Sequence, residues 1–469
     1  MLLGPLTKKV KNIHLIGIGG SGMSGIAEIL LNVGFTITGS DMRETDVTRH
    51  LADLGATITI GHSPENVCSC DAVVYSSAVR DDNTELATAR ERKIPVIKRP
   101  DMLAELMRMK YGICIAGTHG KTTTTSMTGL VLTRGNVDPT IIVGGRVTDF
   151  GSGAKIGKSH FLVLEADEYD RTFLKLTPVI AVVTNIDTDH LDCYRDLDDI
   201  REAFTTFVNK VPFFGAVIAC IDDSGVQSIL PAIERRLVTY GLSRQADIRA
   251  EKIVFSGMTS TFKVSAFGRE LGTASLNVPG YHNVRNALAA LAVAIEMDVP
   301  FEMAAGALVD FVPVSRRYEL KGTVAGVTVI DDYAHHPTEI IATLEGTRSG
   351  FDNRIIAVFQ PHLYSRTRDF HGEFGHAFLN SDMLFVTGIF PAREEPIEGV
   401  TGKLIADAAV VAGHRNVKYI EDGGELVREL VETVRPGDMV ITIGAGDVHL
   451  LGTRLMEELG KSQRMTETN

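Results

Sequence analysis

The chain has 469 residues, of which 44% are hydrophobic, and its formal net charge is −12. This length exceeds what a single hydrophobic core usually serves, so several domains are expected. The acidic balance disfavours nucleic acid as a partner, although local arginines and lysines could still hold a small phosphorylated ligand. The five cysteines lack metal-type spacing and predict reduced thiols. No signal peptide and no membrane span are predicted, so we expect a cytoplasmic protein.

The first predicted unit is a strand that starts at Ile13 and runs into a glycine-rich loop and a helix. Gly17, Gly19 and Gly22 fit the pattern G-x-G-x-x-G, and a second predicted strand, residues 35–38, leads to Asp41. Such a loop holds a diphosphate at the amino end of a helix, and an acidic residue about twenty positions later is typical of ribose binding. The pattern alone does not distinguish NAD from a UDP-sugar.

The second unit opens with residues 113–125, which read I-C-I-A-G-T-H-G-K-T-T-T-T. A buried strand leads into a loop in which Gly117 and Gly120 let backbone N–H groups turn toward one point. Lys121 offers a charge for terminal phosphates, and Thr122 offers a hydroxyl for Mg²⁺. The loop is shorter than the usual G-x-x-x-x-G-K-[ST] spacing, yet the segment predicts a site for ATP or GTP.

Two further predicted strands in this unit, residues 161–164 and 179–184, end in polar clusters. Parallel strands deliver the side chains at their carboxyl ends to one edge of a sheet. Glu165 is therefore the first candidate for a second magnesium ligand beside Thr122. His190 is a candidate for a second metal ion, although an ordinary surface histidine is an equal alternative at this stage.

A third unit is predicted to start near residue 320, after a helix over residues 281–297 that carries His282 and Asn286 on one face. Residues 331–337, D-D-Y-A-H-H-P, place two carboxylates, a phenol and two imidazoles on one strand-to-helix loop, which is unusual for a structural turn. Arg366 and Arg368 follow another predicted strand, where a guanidinium could hold a carboxylate or a transferring phosphate. Surface solvation of these two arginines remains the alternative.

Taken in order, these motifs resemble the Mur ligase family of peptidoglycan precursor synthesis along nearly the whole chain. The segments that carry the resemblance are G-I-G-G-S-G-M-S-G-I-A-E-I-L at 17–30, G-T-H-G-K-T-T-T at 117–124, E-A-D-E at 165–168, T-N-I-D-T-D-H at 184–190, H-N-V-R-N-A-L-A-A at 282–290, D-D-Y-A-H-H-P-T-E at 331–339, Q-P-H-L-Y-S-R-T-R at 360–368 and G-A-G-D at 444–447.

The resemblance implies a three-domain α/β enzyme. Residues 1–109 would form a Rossmann-like domain for the UDP-sugar, and residues 110–319 a P-loop domain with a mostly parallel sheet for ATP and Mg²⁺. Residues 320–469 would form a second Rossmann-like domain that brings the amino acid. A monomer or a homodimer is expected, without nucleic acid or membrane partners.

The implied reaction is ATP-driven amide formation. Phosphate moves from ATP to the lactyl carboxylate of UDP-N-acetylmuramate, the amine of L-alanine attacks the acyl phosphate, and a tetrahedral intermediate expels phosphate. A recycling ligase that joins a ready-made peptide to the same sugar nucleotide is the alternative. The sequences of segments 20–28 and 331–339 favour the ligase that adds alanine. An NAD-dependent oxidoreductase is a second alternative, which would leave Lys121 without a task.

The resemblance also implies roles for individual residues. The implied UDP-sugar contacts are Gly17, Gly19, Gly20, Ser21, Gly22, Met23, Ser40, Asp41, Ser76 and Ser77. The implied nucleotide contacts are Gly117, Thr118, His119, Gly120, Lys121, Thr122, Thr123, Asn185, His282, Asn286, Arg317 and Asp331. The implied metal ligands are Thr122, Glu165 and His190.

For catalysis we expect Lys121 to neutralise phosphate charge and Arg366 to hold the carboxylate of alanine. His335 or His336 is expected to orient the amine or to relay its proton. Leu363 departs from the family pattern, since several relatives have an arginine there. Other members use a carbamylated lysine, but residues 200–208 contain none and Lys210 is out of register, so no carbamylated lysine is expected.

Overall fold

The computed structural model describes residues 10–76, 78–144, 154–188, 193–392 and 394–467, with only the backbone described for Ser21 and residues 464–467. These residues form three β-sheets flanked by helices. Their contacts divide them into two compact units. The first comprises the described residues up to Ile253 together with Phe262–Ser275 and Arg285–Val314, and the second comprises Val254–Thr261, Leu276–Val284 and the described residues from Ser315 onward.

The amino-terminal sheet has five parallel strands in the order β3-β2-β1-β4-β5. The strands are β1 Asn12–Ile16, β2 Thr36–Asp41, β3 Thr57–Ile60, β4 Ala72–Tyr75 and β5 Val96–Lys98, and the helices are α1 Ser21–Val33, α2 Asp46–Asp53, α3 Thr84–Glu91 and α4 Arg99–Met107. The strand order reverses beside β1, so the glycine loop after β1 lies at the switch point where such sheets bind ligands.

The second sheet has ten strands in the order β15-β14-β13-β12-β11-β10-β6-β9-β7-β8, with β7 and β8 antiparallel and the strands from β12 to β9 parallel. Its strands are β6 Tyr111–Ala116, β7 Thr140–Ile142, β8 Ala154–Lys155, β9 Phe161–Ala166, β10 Ile180–Val183, β11 Ala216–Cys220, β12 Leu237–Gly241, β13 Ile248–Ser256, β14 Thr259–Ala266 and β15 Arg269–Leu276. The helices that accompany it are α5 Lys121–Arg134, α6 Leu197–Val208, α7 Ser224–Ile229, α8 Tyr281–Glu296 and α9 Phe301–Val309.

The third sheet has six strands in the order β16-β17-β21-β18-β19-β20, all parallel except for the pair β16 and β17. Its strands are β16 Glu319–Val324, β17 Val327–Asp332, β18 Ile355–Phe359, β19 Met383–Val386, β20 Val417–Tyr419 and β21 Met439–Ile443. Its helices are α10 Pro337–Gly350, α11 Tyr364–Ala377, α12 Lys403–Val411, α13 Gly423–Thr433 and α14 His449–Glu467.

The buried strands carry unbroken apolar sequence because helices cover both faces of parallel sheets. In β18 the run I-I-A-V-F is wholly buried, and in β6 the residues from Gly112 to Ala116 are buried as well. Each apolar run ends where the chain turns into a polar loop at the carboxyl edge of its sheet. Burial of the apolar runs therefore positions the strands, and the strands position the polar loops that follow them.

The largest difference between a predicted strand and the observed one is in the second strand. The second strand was expected over residues 35–38, whereas β2 continues to Asp41. Ser40 pairs with Ile16 in β1, and Asp41 pairs with Ile60 in β3. Neighbouring strands on both sides offer hydrogen bonds to this polar stretch, so the ladder continues past the last apolar residue. In the described part of the chain no helix is long and apolar enough to cross a membrane.

Candidate functional site

The loop between β6 and α5 is shaped to surround an anion. Gly120 has φ 80°, in the left-handed region, and a Cβ atom there would lie 2.8 Å from Oδ1 of Asn286. Glycine is therefore required by both the backbone conformation and the space available. Helix α5 starts at Lys121 with no side-chain cap on its amino end and no acidic residue in its first turn. The positive end of its dipole points into the loop, as phosphate binding requires.

The segment after β10 fastens this loop. Asn185 accepts a hydrogen bond from the His119 amide at 2.7 Å and donates one to the His119 carbonyl at 2.9 Å. The hydroxyl of Thr184 donates to the same carbonyl at 2.7 Å, and the Thr118 hydroxyl accepts from the Asp187 amide at 2.9 Å. Asn185, predicted to contact nucleotide, thus holds the loop in shape.

The ammonium group of Lys121 lies inside the loop. It donates to both carboxylate oxygens of Glu168, at 2.7 and 2.8 Å, and to the Gly117 and Thr118 carbonyls at 2.7 and 3.1 Å. Burial lowers the pKa of Lys121, but the nearby carboxylates of Glu168, Asp167 and Glu165 together outweigh it, and the net shift is upward. Sequence reasoning did not assign a role to Glu168, although it is the third carboxylate of the segment E-A-D-E.

Thr122 and Glu165, the two predicted metal ligands within the described residues, lie together. The Glu165 carboxylate accepts the Gly144 amide at 2.8 Å and is hydrogen-bonded to the side chain of Thr122. Burial raises the pKa of Glu165, while the Gly144 amide, Lys121 and Thr122 oppose that rise. A carboxylate and a hydroxyl beside a phosphate loop form the oxygen donor set that Mg²⁺ prefers, so the residues fit the ion. The third predicted ligand, His190, lies outside the described residues.

The amino-terminal glycine loop is held by the end of β2. The amides of Gly17 and Ile18 donate to the Ser40 carbonyl at 2.8 and 3.1 Å, and the Gly19 amide donates to Asp41 Oδ2 at 2.9 Å. The Asp41 carboxylate, read from the sequence as a ribose ligand, therefore serves the loop itself. The amides of this loop are fixed at the amino end of α1, where a diphosphate binds in folds of this type.

Two of the predicted UDP-sugar contacts are buried. The Ser40 hydroxyl donates to Glu85 at 2.6 Å inside the domain, and the Met23 side chain is 1% exposed. Both residues are thus buried in this structure, and their contacts with a UDP-sugar stay predictions. Ser76 lies at the end of β4, at the same sheet edge, and its hydroxyl accepts the Ala78 amide at 3.2 Å. Ser77 lies outside the described residues.

Glu85 is the centre of a buried polar cluster that sequence reasoning missed. Besides Ser40, it accepts a hydrogen bond from Asn66 at 2.5 Å and lies 3.1 Å from His62 Nδ1 and 3.7 Å from His14 Nε2. Burial alone would raise the pKa of Glu85, but the nearby His14 imidazole and the hydrogen bonds from Ser40 and Asn66 lower it to about 2. The Glu85 carboxylate holds Ser40 at the end of β2. Because the Ser40 carbonyl accepts the amides of Gly17 and Ile18, Glu85 also stabilises the glycine loop.

In the second compact unit, Asp331 is buried at the end of β17. Its carboxylate is 1% exposed and accepts hydrogen bonds from Arg316 Nε at 3.0 Å and from the Thr442 hydroxyl at 2.7 Å. Each carboxylate oxygen of Asp331 thus accepts one hydrogen bond inside the domain, and its contact with a nucleotide stays a prediction. Arg317 lies with its guanidinium 5.0 Å from the Tyr333 ring centroid.

The two predicted histidines follow β17. His335 lies with Nδ1 3.0 Å from the Tyr333 carbonyl, and its ring is 5.9 Å from the ring of His362. Burial lowers the pKa of both His335 and His362 to about 4, with a contribution from the nearby positive charge of Arg366. His336 is 4% exposed and packs against Phe370. The uncharged imidazoles of His335 and His362 therefore lie near Arg366. The sequence analysis did not assign a role to His362.

Leu363, the residue that departs from the family pattern, begins the turn into α11. Its φ of 70° lies in the left-handed region, which is strained for a branched side chain. Its amide donates to the Phe390 carbonyl at 3.0 Å, and its carbonyl accepts the Thr367 amide at 3.2 Å. This turn sets the direction in which α11 presents Arg366.

Of the remaining predicted nucleotide contacts, Thr123 lies in the first turn of α5, and His282 and Asn286 lie on α8. Asn286 faces Gly120, as its Oδ1 position above shows, and His282 lies beside Gly280 in the turn before the helix. Lys210, considered for carbamylation, donates to the carbonyl of Leu174. The absence of a carbamylated lysine stays a prediction.

Comparison with known proteins agrees with this architecture. Three family models match in series: the Mur ligase family catalytic domain at residues 12–111, the Mur ligase middle domain at 115–294, and the Mur ligase glutamate ligase domain at 316–446. The chain belongs to the Mur ligase family, and the predicted family and three-domain α/β class are confirmed.

Individual relatives point to one branch of that family. The chain is 55% identical to the UDP-N-acetylmuramate--L-alanine ligase of Salinibacter ruber over 95% of this chain and 94% of that protein. It is 51% identical to the protein of the same name from Geotalea uraniireducens, covering 96% and 98% of the two chains. Among solved structures, a UDP-N-acetylmuramate-alanine ligase from Thermotoga maritima matches with a TM-score of 0.80 at 30% identity, covering 97% and 100%.

Proposed function

We propose that this chain is an ATP-dependent ligase that joins L-alanine to the lactyl carboxylate of UDP-N-acetylmuramate and releases ADP and phosphate. The observation that carries the proposal is the identity of 55% with an L-alanine ligase over almost the whole of both chains. The phosphate loop around Lys121 adds independent support, since such a loop holds the phosphates of ATP.

The proposed chemistry starts with charge neutralisation. A phosphate group and a carboxylate are both anionic, so their approach needs cationic groups placed beforehand. Lys121 and the amino end of α5 converge on one point and would hold the β- and γ-phosphates of ATP. Phosphate oxygens would then share the ammonium group with Glu168.

Magnesium is the proposed cofactor alongside ATP. Thr122 and Glu165 would hold the ion, and His190 would contribute at a second position. When bound, Mg²⁺ supplies positive charge that lowers the cost of placing phosphate oxygens beside the substrate carboxylate. The donor set of these residues, oxygen atoms next to a phosphate loop, supports the assignment.

Binding of the amino acid is proposed for the second compact unit. Arg366 would hold the carboxylate of alanine through a bidentate contact. His335 or His336 would orient the amine or accept its proton, and the lowered pKa of His335 favours the neutral form that can accept one. We further propose that the enzyme acts in the cytoplasm as a monomer or a homodimer.

A peptide-adding ligase is the second candidate, because a murein peptide ligase from Psychrobacter arcticus also matches, with a TM-score of 0.69 at 26% identity over 96% of this chain. The alanine ligase of Thermotoga maritima is more similar in both measures. The glycine loop, the phosphate loop and the metal-binding residues would serve the alanine-adding and the peptide-adding reaction equally. The size of the acceptor amine is therefore what separates the two candidates.

An acceptor comparison tests the proposal. The protein is mixed with ATP, Mg²⁺ and UDP-N-acetylmuramate, and phosphate release is measured with L-alanine, glycine, L-serine or a tripeptide. Release that is fastest with L-alanine, and lost in Lys121→Met, is the expected result. Release only with the tripeptide would establish the peptide-adding ligase, and no release with any acceptor would refute both candidates.

A further inference from the structure

The chain turns through a strained conformation directly after Glu168. Asp170 and Arg171 are consecutive residues in the left-handed region, with φ of 50° and 53°. Residues other than glycine rarely adopt this conformation, which persists only where the surrounding structure holds it and is concentrated at functional sites. Because the Glu168 carboxylate accepts two hydrogen bonds from Lys121, the contacts that hold this turn also affect the phosphate loop.

Tyr194 holds the backbone of Glu168. Its hydroxyl donates to the Glu168 carbonyl at 2.7 Å, and the Arg171 amide donates to the same carbonyl at 2.9 Å. Tyr194 is 3% exposed, so its hydrogen bond is shielded from water and is electrostatically stronger than one at the surface. Burial also raises the pKa of Tyr194, so the hydroxyl keeps its proton and remains a donor.

The side chain of Arg171 connects the turn to α6. Its guanidinium carbon lies 4.7 Å from the centroid of the Tyr194 ring, and its Nη2 donates to Asp199 Oδ2 at 2.5 Å. Asp199 is buried in the first turn of α6 and also accepts the Arg195 amide at 3.1 Å. The hydrogen bonds from Arg171 and from the Arg195 amide lower the pKa of Asp199 to about 2, so this carboxylate is charged at neutral pH. One guanidinium therefore contacts Tyr194 and pairs with Asp199 at the same time.

A second contact attaches the same segment to α6. Phe173, two positions after Arg171, is fully buried. The centroid of its ring lies 5.1 Å from that of Phe204 and 4.9 Å from that of Phe207, both of which are on α6. Packed side chains of this kind keep one arrangement. The segment is thus attached to the helix by a charge and by an aromatic ring, and Glu168 has little freedom to move.

We propose that Arg171, Tyr194 and Asp199 form a clamp on Glu168 and are positioning residues for the phosphate loop. The clamp fixes the Glu168 carboxylate, and this carboxylate orients the Lys121 ammonium group toward the terminal phosphates of ATP. The three residues act through Glu168 and Lys121 and have no contact with the nucleotide in this assignment. A charge that is oriented beforehand binds phosphate without a further ordering cost. The inference rests on the proposed function, because the phosphates belong to ATP.

Nucleotide binding to the intact chain tests the clamp without the need for turnover. Calorimetry in the presence of Mg²⁺ would compare AMP-PNP, a non-hydrolysable analogue of ATP, with AMP, which lacks the terminal phosphates. Tyr194→Phe keeps the ring and removes the hydroxyl, so AMP-PNP should bind about 3- to 10-fold more weakly, the usual effect of one lost hydrogen bond. The affinity for AMP should stay within about twofold, because Lys121 serves the terminal phosphates only. The matched control Tyr111→Phe, which removes the hydroxyl of an exposed tyrosine at the amino end of β6, should bind both nucleotides like wild type.

Variants of Arg171 test the other half of the clamp. Arg171→Met removes both the ion pair with Asp199 and the contact with the Tyr194 ring, and should weaken AMP-PNP binding by about tenfold or more. Arg171→Lys keeps the charge but loses the planar group, so an intermediate affinity is expected. Arg195 is the matched control, since its Nε lies 3.6 Å from the same carboxylate but its side chain is 79% exposed. Arg195→Met should bind AMP-PNP within about twofold of wild type.

A double-mutant cycle separates positioning from general stabilisation. In the background Lys121→Met with Glu168→Gln, Tyr194→Phe should change the affinity for AMP-PNP by less than about 1.5-fold, because the residues through which it acts are absent. An undiminished effect in that background would overturn the proposal, and so would an equal loss of AMP and AMP-PNP binding in Tyr194→Phe. Unchanged AMP-PNP binding in both Tyr194→Phe and Arg171→Met would also refute it, and in all three cases the proposed function would stand. Failure of the wild type itself to bind AMP-PNP would refute both.

Discussion

The Nζ atom of Lys121 lies 2.7 Å from Oε2 of Glu168, and their side chains are 15% and 2% exposed. The phosphate-loop lysine is thus held by a carboxylate that follows the next strand of the sheet, β9, which pairs directly with β6. The Glu168 carboxylate positions the ammonium group of Lys121 and neutralises its charge inside the domain. The pair should therefore affect both the folding stability of the chain and its ligase activity, and variants can separate the two effects.

Lys121→Met should abolish at least about 99% of the ligase rate, because a charge that stabilises the transferring phosphate is lost. It should also lower the free energy of unfolding by about 3–5 kcal/mol, since Glu168 is left buried without its partner. The double variant Lys121→Met with Glu168→Gln should regain most of that stability and none of the activity. Phosphate release and urea unfolding measure the two effects; a double variant as unstable as the single one would contradict the pairing.

Glu165→Ala should raise the Mg²⁺ concentration required for half-maximal rate by about tenfold or more, because a carboxylate ligand is removed. The exposed carboxylate of Asp170 provides a matched control, and Asp170→Asn should leave the Mg²⁺ requirement unchanged. A titration of the rate against Mg²⁺ at saturating ATP measures both. Equal requirements in Glu165→Ala and wild type would exclude Glu165 as a ligand.

Arg366→Ala should raise the KM for L-alanine by about 10- to 100-fold and leave the KM for ATP within about twofold, since a bidentate carboxylate contact is lost. Arg368, two positions along, is 55% exposed and paired with Asp369. Arg368→Ala should therefore behave like wild type. Initial rates over a range of each substrate provide the comparison, and equal changes in both KM values would rule out the assignment.

Glu85→Gln should weaken the protein most at neutral pH. The pKa of Glu85 is lowered to about 2 in the folded chain, below its ordinary value of 4.5. Its contribution is therefore fully present above about pH 4.5 and is lost as the pH falls toward 2. At pH 7 the variant should lose about 3 kcal/mol of unfolding free energy.

Between pH 5 and pH 2.5 the stability of Glu85→Gln should consequently fall less steeply than that of wild type. Glu91 at the other end of α3 is exposed, so Glu91→Gln is the matched control and should follow the wild-type curve. Urea unfolding at several pH values within that window measures the slopes. Parallel curves for Glu85→Gln and wild type would show that the cluster does not hold Glu85 in its charged form.

The strand, loop and helix units could be predicted from the sequence because their signals are local. Gly117, Gly120 and Lys121 stand within five positions, and a buried apolar run in front of them sets the strand. Glu165 was found in the same way, since it directly follows an apolar run and parallel strands end at one edge. The family and the three-domain class followed from the order of such segments along the chain.

The partners of these residues could not be predicted in this way. Glu168 lies 47 positions from Lys121, and Glu85 lies 45 positions from Ser40. The hydrogen bonds that Arg316 and Thr442 donate to the Asp331 carboxylate likewise join residues that are distant in sequence.

The sequence by itself therefore determined where the backbone turns, which loops can surround phosphate, and the family to which the chain belongs. Only the tertiary structure decided which charges are paired, which are buried, and which side chains hold each glycine loop. The physical reason is that loop conformation depends on neighbouring residues, whereas the pairing of charges depends on strand order. Strand order joins residues that are distant in sequence, and Lys121 with Glu168 and Ser40 with Glu85 are two pairs in which it shapes the candidate site.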